Sequence, residues 1–161
     1  MPGVYRLYVL GAPLELGYTL DESWPILSTV DLGGASLILT VDDVDSYAWA
    51  DQEMTLTTSA SRRMVDAFGT TISSPDLTGK PFVVTVDGIR VYGGVFLYPQ
   101  SAMGISYPVI YTGSVGGQLV LTIRPYHTVV VRYSSFPPSA KSRIELPTIR
   151  DCFSKAGKLS P

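Results

Sequence analysis

The sequence predicts an α+β fold: a mostly antiparallel sheet with one helix packed on a face and a second helix at the C-terminus. Three observations predict it. Short β-branched and aromatic runs recur between Gly- and Pro-rich turns. Asp87-Gly88 sits between two such runs, and Asp-Gly is a preferred pair for a two-residue hairpin turn. Two stretches have helical periodicity, and they do not alternate with the strands as βαβ units would. Residues 1–133 are expected to form the domain and 134–146 a connector. Residues 147–161 carry a helix and tail that pack on the domain or on a partner.

Val4–Leu10 reads as a strand that Gly11-Ala12-Pro13 ends. Residues 11–35 read as an irregular segment anchored by Leu14, Leu16, Tyr18, Trp24, Ile26 and Leu27. Ser36–Leu39 is a short strand, and Thr40 caps a brief helical turn over Val41–Val44. Tyr47–Leu56 reads as one strand with a polar dip at Asp51-Gln52-Glu53. Ser59–Phe68 is a helix with Ala60, Met64, Ala67 and Phe68 on one side, stopped by Gly69.

The hairpin of Phe82–Val86 and Ile89–Leu97 has a register set by its turn. Val86 is expected opposite Ile89, Thr85 opposite Arg90, Val84 opposite Val91 and Val83 opposite Tyr92. Gly93-Gly94 mark a bulge or a close backbone approach. Pro108–Tyr111, Gln118–Arg124 and Thr128–Tyr133 follow as strands, with a hairpin loop at Gly113–Gly117. In the last helix Ile149, Cys152, Phe153 and Ala156 form an apolar stripe.

Composition narrows the function. The 161 residues are 45% hydrophobic and only 16% charged, with mean hydropathy +0.22, against about 25% charged in a typical soluble domain. Disorder is excluded. A net charge of −2 argues against nucleic acid as a partner. No apolar stretch approaches the roughly 20 residues that span a bilayer, so no transmembrane segment is expected. One Cys and one His exclude a zinc site and an internal disulfide framework. Charge is unevenly placed: residues 1–80 have 4 basic and 11 acidic side chains, and residues 81–161 have 8 and 3. The net charges, −7 and +5, either cancel within one fold or favour head-to-tail association.

No catalytic motif stands out. The acidic group Asp42, Asp43, Asp45, Asp51 and Glu53 fails the calcium-loop pattern, because Ala48 stands where glycine is needed. No metal or other cofactor is expected. His127 is the only candidate general base, beside Pro125 at a hairpin end, and reads as a turn residue. Cys152 reads as a buried small hydrophobe. Tyr92, Phe96 and Tyr98 alternate on what should be the non-core face of the hairpin. With Ile149 and Phe153 they are the candidate binding residues.

Residues 37–98 have a recognisable order. Leu39-Thr40 ends a strand, and Asp42-Asp43-Val44 starts a turn. Glu53–Thr57 leads into the helix Ser59–Phe68, then Gly79–Gly88 leads into Val91–Phe96. This order resembles an uncharacterised family of bacterial exported proteins and lipoproteins. More remotely it is similar to the periplasmic head of the SecD protein-export subunit, where a β-α-β-β unit also ends in an aspartate-glycine hairpin. The resemblance implies an α+β sheet layer and an extracytoplasmic setting, with a cytoplasmic one as the alternative. It implies no catalytic residue. The expected function is a non-catalytic binding or assembly module that meets a protein partner or a second copy of itself. The alternatives are a small hydrolase using His127 with a Ser or Asp partner, and a structural subunit of a filament or particle.

Overall fold

The structure, a computed structural model, describes residues 3–68, 77–127 and 138–160. In chain order these form β1 (Tyr5–Val9), α1 (Leu20–Leu27), β2 (Leu37–Thr40), a single 3-10 turn (Val41–Asp43), β3 (Val44–Ala48) and β4 (Glu53–Leu56). Then come α2 (Thr58–Phe68), β5 (Pro81–Val86), β6 (Ile89–Phe96), β7 (Val109–Val115), β8 (Gln118–Arg124), α3 (Pro138–Ile144), α4 (Pro147–Lys155) and β9 (Leu159–Ser160). The expected strand Thr128–Tyr133 lies outside the described residues.

The strands make one sheet in the order β2-β1-β5-β6-β7-β8-β4-β3-β9. Among the described strands only the β6–β7 and β3–β9 junctions are parallel. The fold is therefore mixed, with a large and mostly antiparallel sheet, as the sequence predicts. It carries more helix than one packed helix and a C-terminal one.

The sheet curls. Strands β2 and β3 stand first and eighth in the order, and only Val41–Asp43 join them. A flat sheet would separate them by seven steps, about 34 Å at about 4.8 Å per step. The link from Thr40 to Val44 spans at most about 14 Å. The inner face of the curl holds the main core, with Leu7, Leu39, Met54, Phe82, Leu121 and Phe153 among its members. From α4, the Phe153 ring meets Tyr5 of β1 at 4.9 Å and Tyr47 of β3 at 4.8 Å, edge to face in both cases. It thus ties opposite parts of the curl together.

The outer face of the central strands has its own core. Val83, Val95, Leu97 and Val109 are covered by Leu16, Leu27, Ile105 and Tyr107, with Trp24 packed alongside. Strand β5 is consequently buried along its whole length. Where the two cores approach each other, α3 buries Ile144 in the main core. The neighbouring Arg143 guanidinium lies 4.8 Å from the centre of the Trp24 ring, a cation–π contact.

Several expectations are corrected. The Asp87-Gly88 turn forms, with both residues at positive φ, and it pairs Val86 with Ile89 and Thr85 with Arg90. Beyond that a bulge leaves Val91 without an opposite residue. Val84 faces Tyr92 and Val83 faces Gly93, where Val91 and Tyr92 were expected. The bulge turns Tyr92 and Phe96 into the main core, where Phe82 meets them at 6.1 and 5.7 Å.

The expected strand Tyr47–Leu56 is a hairpin, β3–β4, whose turn holds Gln52 at φ 52°. The irregular segment 11–35 contains α1, capped by Thr19, whose hydroxyl oxygen accepts from the Glu22 amide. Part of the expected connector, Pro138–Ile144, is helical. Gly93-Gly94 mark a close approach: a Cβ on Gly94 would lie 1.7 Å from the Pro108 carbonyl oxygen. This is where β7 joins β6.

Candidate functional site

His127 is buried, not a free turn residue. Its backbone pairs with Ile105 through two hydrogen bonds of 2.8 and 2.9 Å. Its Nε2 lies 2.8 Å from the Ser101 carbonyl oxygen. A carbonyl only accepts, so Nε2 carries the proton in the neutral ring, and Nδ1 accepts from the Tyr111 hydroxyl. Both ring nitrogens are thereby engaged, with a tyrosine and a backbone carbonyl and not with a serine hydroxyl and an aspartate. Burial raises the Tyr111 pKa, and the nearby Arg124 charge works against that rise. The ring acts as a buckle that holds the loop 98–107 onto the end of β8.

A second polar group lies inside the curl. Tyr5, Tyr47 and Tyr92 are buried, and burial is the main cause that raises the pKa of each phenol far above its ordinary value. The Tyr47 hydroxyl donates to Gln52 Oε1. The Tyr5 hydroxyl points at the Met54 sulfur, 3.8 Å away. The Tyr92 hydroxyl has no well-formed hydrogen bond, and the neighbouring Tyr5 hydroxyl offsets only part of the effect of its burial.

Two members of the acidic group, Asp43 and Asp45, serve the fold. Asp43 accepts from the Thr40 amide at 2.8 Å and pairs with Arg63 at 2.6 Å. Asp45 accepts from Gln118 Nε2 at 2.9 Å. Among the described residues no cluster of His, Cys, Asp and Glu could hold a metal ion. The Cys152 thiol is buried and donates to the Thr148 carbonyl at 3.1 Å, and burial raises its pKa. That is the opposite of an activated nucleophile.

The five candidate binding residues do not share a surface. Tyr92, Phe96, Ile149 and Phe153 are buried in the main core. Tyr98 alone is open, 50% exposed just past the end of β6. Three other exposed apolar side chains stand on or beside the same loop. Tyr18 (59% exposed), Met103 (44%) and Tyr126 (37%) lie on segments tied to the same loop. The Ser101 amide donates to the Tyr98 carbonyl, the Ser106 amide to the Tyr18 carbonyl, and Tyr126 precedes the buckle residue His127. The Tyr107 hydroxyl holds the Gly17 carbonyl at 2.9 Å. Its pKa is pushed up to about 12, first by burial and then by the Glu22 charge. Sequence reasoning missed this rim because its members stand on loops, where no periodicity groups them.

Among the described residues, the ion pairs are Arg63–Asp43 and Lys141–Glu145. Neither joins the acidic first half of the chain to the basic second half. No helix among the described residues is long and apolar enough to cross a membrane.

No protein-family model matches this chain, and no curated protein and no solved structure is detectably similar to it. The functional reading therefore rests on the residues themselves.

Proposed function

We propose that the protein is a non-catalytic assembly module that associates with a second copy of itself through the rim of Tyr18, Tyr98, Met103 and Tyr126. The observation that carries this reading is that four exposed apolar side chains stand on segments joined by backbone hydrogen bonds to one loop, 98–107. Tyrosine and methionine are enriched at protein interfaces, where they add apolar area with few polar atoms left unpaired. The −7/+5 split supports a head-to-tail arrangement, since no direct ion pair among the described residues cancels it within one copy. The resemblance of residues 37–98 to exported proteins supports an extracytoplasmic location.

Sedimentation velocity at low and high salt tests the reading. The wild type should self-associate, less so at high salt, and Tyr98→Ser with Met103→Ser should give a folded monomer. A wild type that stays monomeric at high concentration in low salt overturns it.

A further inference from the structure

A recess of about 200 Å³ lies between the β3–β4 turn, the end of β8 and α3. At about 30 Å³ per water molecule that is room for roughly six or seven waters, below the roughly 300–1,000 Å³ of pockets for drug-sized ligands. Its floor includes Gln52. The backbone there is left-handed, a conformation uncommon outside glycine. The Gln52 side chain is fixed at both ends: Oε1 accepts from Tyr47, and Nε2 donates to the Trp49 carbonyl at 2.8 Å. The floor is thus built before any ligand arrives.

Both signs of charge line the recess. Arg124 directs Nη1 at the Asp51 and Ile123 carbonyls, at 2.8 and 3.0 Å, and its Nε and Nη2 meet no acceptor among the described residues. The Asp51 carboxylate forms no ion pair with a described residue. Lys141 and Glu145 face each other at 4.0 Å, the outer limit of an ion pair. A simple anion would meet Asp51 and Glu145 as well as the cations, and a simple cation would meet Arg124 and Lys141. A ligand with both charges suits a lining that carries both signs.

We propose that this recess binds a small zwitterion of the α-amino-acid class, its carboxylate toward Arg124 and Lys141 and its ammonium toward Asp51 and Glu145. The site shares no residue with the Tyr98 rim, and its test does not depend on self-association.

Amide chemical-shift titration with glycine and alanine, and separately with acetate and methylammonium, tests the site. The amino acids should give saturable shifts confined to residues 50–52, 123–125 and 141–145. Acetate and methylammonium should bind at least about tenfold more weakly. Asp51→Asn and Lys141→Gln, which remove one charge each with little change in shape, should each weaken glycine binding at least about tenfold. The exposed Lys141→Gln keeps the test sound if Asp51→Asn disturbs the turn. No saturable shift at tens of millimolar glycine, equal binding of acetate, or wild-type affinity in Lys141→Gln would each overturn the proposal.

Discussion

Truncating Phe153 to alanine removes the ring that α4 inserts between β1 and β3. The side chain is fully buried and makes edge-to-face contacts with Tyr5 and Tyr47. A buried Phe→Ala change costs about 3–5 kcal/mol. Aromatic pairs contribute about 0.5–1.5 kcal/mol beyond their area, so the loss of two places this site above the bottom of that range. At about 4 kcal/mol the folding equilibrium shifts roughly a thousandfold, against a total stability of about 5–15 kcal/mol for a domain. With a urea slope near 2 kcal/mol per molar, the unfolding midpoint should fall by about 2 M. Urea titration followed by tryptophan fluorescence measures this directly, because Trp49 lies 5.3 Å from Tyr47 and reports on the affected core. Phe153→Leu should lose much less, since it refills most of the space. A folded Phe153→Ala protein destabilised by less than about 1 kcal/mol would refute the reasoning. Helix α4 would then owe its position to something other than this core.

Two further tests concern backbone approach and ionisation. Gly94→Ala should abolish folding or cost upwards of about 4 kcal/mol, because the new methyl would fall on the Pro108 carbonyl; Gly113→Ala, with nothing within 4 Å of the added Cβ, is the thermal-denaturation control and should lie close to wild type. In alkali, the stability that the buried phenols confer should be intact below the unfolded tyrosine value near 10 and be lost as pH rises through the folded values, about 12 for Tyr107, with Tyr5, Tyr47 and Tyr92 also raised well above the ordinary value by burial. Ultraviolet absorbance of phenolate against pH, read beside circular dichroism, should show these four ionising late and together with unfolding, and an early reversible titration of all tyrosines in folded protein would contradict their placement.

The sequence makes local features legible and leaves the long-range ones hidden. Asp87-Gly88 fixes a turn because both positions need positive φ, and its first two residue pairs follow from it. The bulge at Val91 does not follow, because what favours it is the burial of Tyr92 and Phe96 against Phe82, a tertiary effect. The turn that splits residues 47–56 was hidden for a related reason. Gln52 occupies a left-handed position that glycine or asparagine would have announced, and only its bonds to Tyr47 and Trp49 show why glutamine stands there. Helix α1 was obscured by Pro25, which reads as a breaker. The helix is short, and the Thr19 cap supports its first turn. Of the candidate surface only Tyr98 was visible in advance. The other exposed residues are not linked by any sequence periodicity, and they stand on segments tied to the loop 98–107.

The curl closed by Val41–Asp43 also sets the order in which the chain can mature. Strand β1 needs β5 as its second neighbour, and β4 needs β8, so each waits for segments made more than sixty residues later. Such distant pairings slow folding, because loop closure must precede the contacts that reward it. Phe153, which joins β1 to β3 across the interior, is made only after all the strands from β1 to β8. Those eight strands are therefore laid down with their keystone missing, and the curl sets into its final shape only once α4 arrives.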